Sequence, residues 1–221
     1  MNGYSYDKAM RRKNFNPTLY LVTDRRLAGN LSLTELVEKA LAGGVTVVQL
    51  REKECPSREF YELAIKVKKI IPPEIPLIIN DRMDIALAAQ ADGLHLGQTD
   101  LPVEIARKYL GSEAIIGLSV ENKEQLLAAL DLPVDYLAIS PLFSTPTKTF
   151  TIPAWGLEGL AAARKLTNLP LVAIGGINES NAAEVIRAGA DGIAVVSAIC
   201  AASDPQEAAR RLRFIIEEAR R

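Results

Sequence analysis

The side chains able to do chemistry in this chain fall in short polar runs, and each run follows an apolar one. Gln49-Leu50-Arg51-Glu52-Lys53 closes the run that begins at Val45. In extended backbone, alternate residues face the same way. Gln49, Arg51 and Lys53 therefore share one side, and Leu50 and Glu52 the other. Two cations and an amide on one face suit an anion, although any one of them alone reads as a solvated rim charge. Asn80-Asp81 follows Leu77-Ile78-Ile79, and Gln98-Thr99-Asp100 follows Gly93–Leu96. Two carboxylates with oxygen-rich neighbours suit a hard cation. Mg2+ is the natural choice, because it takes one or two carboxylates, keeps waters and draws further ligands from phosphate. Asp81 also reads as the cap of a helix through Ile85, and Asp100 as a cap before Pro102. Ser144-Thr145-Pro146-Thr147-Lys148-Thr149 brings hydroxyls and a lysine to a proline-stiffened turn, which suits a phosphate, a carboxylate or a plain surface loop. Gly175-Gly176 offers main chain without side chains after Leu171–Ile174. It reads either as one half of a phosphate cup, with Val196-Ser197 as the other, or as a tight turn.

His95 is the sole histidine. It reads as a buried strand residue satisfied by a neighbour. A Ser-His-Asp triad could be built only around it, and no GxSxG elbow accompanies it. Ser119 reads as a turn residue after the fifth apolar run, of interest only if its hydroxyl points inward.

These runs need a frame that brings strand ends together. Leu19–Thr23, Val45–Leu50, Leu77–Ile79, Gly93–Leu96, Ala114–Leu118, Tyr136–Ile139, Leu171–Ile174 and Ile193–Val196 are short and mostly apolar, Leu171–Ile174 continuously so, as parallel strands buried on both faces are. Between them lie helical patterns. Ser32 and Glu35 make a capping box ahead of Leu33, Leu36, Val37, Ala40 and Leu41, with Gly43 as the stop. A second helix starts near Ser57 and stops at Pro72-Pro73. Others run through Ile85, from Pro102, from Asn122, through Leu157 and Leu160, and from Asp204-Pro205; Asn178 and Ser180 are placed to cap the one carrying Val185 and Ile186. Eight strand–helix units with none left over predict a (β/α)8 TIM barrel of the phosphate-binding type, with a doubly wound open sheet as the alternative. Residues 1–16 form an N-terminal extension, either a short helix or an arm, and 17–221 a single domain. The 140–156 connection is the longest, and long loops in compact domains tend to be functional.

A net charge of −1 with no long run of one sign argues against wrapping nucleic acid. Two distant cysteines, Cys55 and Cys200, form no CxxC pair, which points to a reducing, cytoplasmic setting. No stretch approaches a membrane span, and the first residues lack a signal peptide's apolar region. Nothing in the sequence specifies or opposes a homo-oligomer.

LYLVTD, QLREK, LIINDRMDIALAAQADGLHLGQTD, GLSV, STPTK, VAIGGI and GIAVVSAI, in that order from Leu19 to Ser197, resemble the motifs of the thiamine-phosphate synthase family. The resemblance implies a transferase joining an aminopyrimidine diphosphate to a thiazole phosphate, carboxylated or not, with release of pyrophosphate. It implies that Gln49, Leu50, Arg51, Glu52, Lys53, Asn80, Ser119 and Lys148 hold the pyrimidine diphosphate. Thr145, Pro146, Thr147, Gly176, Val196 and Ser197 would hold the thiazole phosphate, and Asp81 and Asp100 one Mg2+. Arg51, Lys53 and Lys148 would stabilise the departing pyrophosphate. The chain departs from the family at Ser140, where glycine is common, and across Thr149 to Trp155. Three rival readings remain: a sugar-phosphate epimerase or isomerase, which wants acid/base pairs or metal-binding histidines; the related thiazole tautomerase; and a non-catalytic binder of thiazole phosphate.

Overall fold

The computed structural model describes residues 15–145 and 153–221. Eight parallel strands close into one barrel in sequence order, β1 (Leu19–Val22), β2 (Val47–Leu50), β3 (Leu77–Asn80), β4 (Gly93–Leu96), β5 (Ile115–Val120), β6 (Tyr136–Ile139), β7 (Leu171–Ile174) and β8 (Gly192–Val195). Closure rests on the β1–β8 pairing, Leu19 to Ile193 and Leu21 to Val195, which removes both sheet edges. It excludes the open-sheet alternative. Around the barrel run α1 (Leu33–Ala42), α2 (Ser57–Ile70), α3 (Met83–Ala88), α4 (Val103–Leu110), α5 (Lys123–Ala129), α6 (Gly156–Arg164), α7 (Ala182–Arg187) and α9 (Pro205–Ala219). Two elements go beyond the expected units: a 3-10 turn at Arg25–Leu27 and a four-residue helix α8 (Ser197–Cys200).

Local chemistry accounts for most boundaries. Ser32 and Glu35 form the expected capping box on α1, and Gly43 ends it. Asp204 accepts from the Gln206 and Glu207 amides at the start of α9, with Pro205 as its first residue. The expected cap on α7 is different in detail. Asn178 folds back to accept from the amide and hydroxyl of Ser180, a local turn that delays the helix to Ala182. Strand β5 is longer than its apolar run, because Ser119 and Val120 still pair with Ala138 and Ile139. Ser119 is thus a strand residue, not a turn residue.

Two apolar layers divide the molecule. The larger lies between strands and helices and is mostly aliphatic, with Leu36, Leu50, Val67, Leu126, Leu160 and Leu212 and one aromatic, Phe60, at full burial. The smaller fills the barrel itself, where Val22, Val47, Ile78, Ile115 and Val172 surround two tyrosines, Tyr20 and Tyr136. Gly117 makes room for the second: a Cβ there would sit 2.0 Å from Tyr136 Cζ. Phe15 stacks on the same ring at 4.6 Å and covers it.

At the entry end of the strands one device recurs. Asp92, ahead of β4, accepts from the Leu77 amide of β3; Asp135, ahead of β6, from Ile116 of β5; and Asp191, ahead of β8, from Leu171 of β7. Thr46 plays the same part for Leu19 of β1. Each gives an otherwise orphaned strand N–H an acceptor.

No helix among the described residues is long and apolar enough to cross a membrane. Of the N-terminal extension, residues 1–14 lie outside the described residues, as do Pro146, Thr147, Lys148 and the rest of 146–152.

Candidate active site

At the C-terminal ends of the strands opens a cavity of about 310 Å3. Strand alternation sorts β2 as expected. Gln49, Arg51 and Lys53 line the cavity, while Leu50 is fully buried in the helix-facing layer. The Glu52 side chain also points away: its Oε2 lies 3.3 Å from Arg25 Nη2, its Oε1 has no partner, and burial pushes its carboxyl above the ordinary range. The side chains of Leu50 and Glu52 thus stand apart from the residues they were grouped with. Arg51 is fixed at its main chain, where its amide donates to the hydroxyl of buried Thr23 at 3.2 Å.

Beside β2, past the ends of β3 and β4, lie the two carboxylates. Neither is spent on a helix: α3 is preceded by Arg82 and α4 by Pro102, both without a side-chain cap. Asp81 takes a left-handed backbone, φ 60, immediately after β3, and its amide donates to the His95 carbonyl at 2.9 Å. A non-glycine residue held there stores strain of roughly 1–3 kcal/mol, and such residues cluster at functional sites. Lys53 Nζ donates to Asp81 Oδ2 at 2.5 Å. Asp100 Oδ2 accepts from the Gly97 amide at 2.7 Å. Burial first, and then the neighbouring Asp81 carboxylate, push the Asp100 carboxyl above its usual range.

This donor set fits a hard divalent cation. Two carboxylates repel one another with one lysine to offset them, and both offer oxygen. No cluster of three His, Cys, Asp or Glu occurs among the described residues, so a soft or fully protein-caged metal is not what the set suits.

The opposite wall is main chain. Gly175 (φ 109) and Gly176 (φ 66) both adopt conformations that disfavour side chains, and they border the cavity with Ile177, Val196 and Ser197. β7 and β8 run side by side, Ile174 against Ala194, so their ends form one wall. The missing side chain of Gly176 matters toward the β6–α6 loop: a Cβ would lie 2.7 Å from the Ser144 carbonyl oxygen. That loop is tied down by Leu142 donating to Ile174 O at 2.8 Å and Phe143 to Gly175 O at 3.0 Å. Thr145 reaches the cavity; Pro146, Thr147 and Lys148 are outside the described residues.

His95 is satisfied as the sequence suggested, with Nδ1 2.8 Å from the Tyr136 hydroxyl and Nε2 2.9 Å from Ser119 Oγ. Ser119 points inward and borders the cavity, as do Asn80 and Ser140. Sequence reasoning missed Tyr20 and Tyr136. The available signal was two tyrosines on strands of a chain with only 5% aromatics, one of them facing a glycine on the neighbouring strand.

Residues 19–199 match the family described as thiamine monophosphate synthase. The thiamine-phosphate synthase of Albidiferax ferrireducens is 56% identical over 200 residues, covering 90% of this chain and 91% of that protein. That of Syntrophomonas wolfei is 55% identical over 205 residues, with 92% and 98% covered. Among solved structures, thiamine phosphate pyrophosphorylase from Pyrococcus furiosus superposes with a TM-score of 0.84 at 40% identity, covering 92% of this chain and 97% of that one.

Proposed function

The chain belongs to the thiamine monophosphate synthase family, and on that premise we propose that its cavity joins an aminopyrimidine diphosphate to a thiazole phosphate, carboxylated or not, releasing pyrophosphate. The observation that carries this reading is one cavity with two unlike walls. Cations and paired carboxylates stand on the β2–β4 ends, and glycine main chain on the β7–β8 ends. One wall suits a diphosphate and its counter-ion, the other a single phosphate.

The bond from the pyrimidine methylene carbon to the diphosphate oxygen breaks with its electron pair leaving on pyrophosphate. The thiazole nitrogen then supplies the pair that forms the new carbon–nitrogen bond. Charge therefore builds on the leaving group. Arg51 and Lys53 face the cavity where that charge would grow, and fixed cations in a partly dry site act most strongly there. Lys148 is proposed as a third. Asp81 and Asp100 would hold Mg2+, which when bound supplies Lewis-acid neutralisation of the pyrophosphate oxygens. No protein nucleophile is needed, because the thiazole carries its own lone pair. His95, held at both ring nitrogens, is placed to orient rather than attack. Gly176, Val196 and Ser197, with Thr145, Pro146 and Thr147, would seat the thiazole phosphate. Gln49, Asn80 and Ser119 would seat the pyrimidine.

We place the reaction in a reducing, cytoplasmic setting, which the unpaired Cys55 and Cys200 support. The test is pyrophosphate release with purified protein, Mg2+ and both substrates. Release that requires both is expected. Conversion of a thiazole phosphate alone, without pyrophosphate, would favour the tautomerase reading instead. Binding without turnover would leave a mere binder.

A further inference from the structure

Across the barrel at the floor of the cavity, five side chains form a single file. Gln49 Nε2 donates to the Tyr20 hydroxyl at 2.8 Å; Tyr20 and Tyr136 hydroxyls meet at 2.8 Å; Tyr136 then meets His95 Nδ1 at 2.8 Å, and His95 Nε2 meets Ser119 Oγ at 2.9 Å. The donor–acceptor inventory gives this file a direction. An amide nitrogen only donates, so Tyr20 accepts from Gln49 and must spend its one proton on Tyr136. Tyr136, having accepted, spends its own on His95 Nδ1. His95 then carries its proton on Nε2 and donates to Ser119. Ser119, already an acceptor, is left with a hydroxyl proton to give, and among the described residues no acceptor takes it. Burial keeps both tyrosines protonated, raising each well above the ordinary phenol range.

We propose that Tyr20, Tyr136 and His95 are positioning residues that transmit the amide polarity of Gln49 across the barrel, holding Ser119 as a hydrogen-bond donor toward the bound ligand. The Ser119 proton is matched by a ligand atom that accepts without donating, such as a ring nitrogen of a heteroaromatic base. The ligand's identity rests on the reading above; the direction of the chain does not. Gly117 belongs to the same device, because only its missing side chain lets the Tyr136 ring reach between its two partners.

Because His95 is the sole histidine, a tag-free protein labelled with 15N-histidine gives a single imidazole to read by NMR. In the ligand-free enzyme the Nε2–H tautomer is expected. Gln49→Glu replaces the donor with a carboxylate that can only accept, so every link should reverse and Nδ1 should become protonated. Tyr136→Phe cuts the chain and should raise KM for the pyrimidine substrate by about tenfold, the equivalent of one lost hydrogen-bond preference, with kcat changed less. Nδ1–H in the wild type, or an Nδ1 that stays bare in a folded Gln49→Glu, would overturn the proposal. Should Gln49→Glu fail to fold, the wild-type tautomer and the Tyr136→Phe split between KM and kcat decide it. A reversal of tautomer in a protein that releases no pyrophosphate would keep the chain and discard the assigned reaction.

Discussion

On the β2–β4 side of the cavity, charge is carried by side chains, Arg51, Lys53, Asp81 and Asp100, whereas the β7–β8 side is built from Gly175, Gly176 and the Val196-Ser197 step. The first side is electrostatically incomplete, with two carboxylates close enough for Asp81 to raise Asp100 and one lysine between them. On the proposed function, a counter-ion and an anion together would complete it. The second side carries no charged side chain among these residues, and on the proposed function its selectivity would lie in shape and main chain. A substitution should therefore cost the first side chemistry and the second side binding of one ligand.

The sharpest break falls on the carboxylates. Asp81→Asn and Asp100→Asn should fold and yet lose about a thousandfold in turnover, the effect of ~4 kcal/mol withdrawn from leaving-group stabilisation. Turnover near wild type at limiting Mg2+ would end the assignment. Next in size, Arg51→Ala should lower kcat by about a hundredfold while affinity for the pyrimidine diphosphate falls less, since the charge it meets grows as the bond breaks. Steady-state kinetics that raise KM and spare kcat would make Arg51 a ground-state binder.

On the main-chain side, Gly176→Val should weaken thiazole phosphate by about tenfold or more and leave pyrimidine binding in place. The damage is transmitted: the new Cβ meets Ser144 O at 2.7 Å and strains φ 66, costing roughly 1–2 kcal/mol of stability as well. Separate calorimetric titrations with the two substrates distinguish this from general loosening, which would weaken both.

The smallest effect is one of pH. The folded state raises the Asp100 carboxyl, so its protonated form is the one the fold favours. Its contribution to stability is present at acidic pH, below the ordinary carboxylate value, and is lost as pH rises through the raised one. Mg2+ should restore it, so the rise in Tm with Mg2+ should be largest near neutrality and fade on acidification. A Tm increment independent of pH would detach the ion from Asp100.

The outer layer of the barrel was legible because helices write a 3.6-residue period: Leu33, Leu36, Val37 and Ala40 announce α1 by their spacing alone. The strand ends were legible because polarity begins where each apolar run stops. Interior and exterior of the barrel were not. Buried parallel strands are apolar on both faces, so nothing in LYLV marks Tyr20 as inward and Leu19 or Leu21 as outward. Ser119 was misread for a related reason, its polarity marking a turn by type while its pairing keeps it in β5. Asp81 and Asp100 carried two meanings each, and only the structure, in which neither caps α3 or α4, removes the first.

The acceptors under the strands, Thr46, Asp92, Asp135 and Asp191, stand ahead of β2, β4, β6 and β8. Considered as a repeat, the chain is a ring of four two-strand modules with like foundations and unlike roofs. The link that joins each strand pair at its foot lies at the far end from the upper loops, so a change in those loops leaves that link in place. The cationic and glycine walls of one cavity thus rest on the same four links, however unlike the loops above them are.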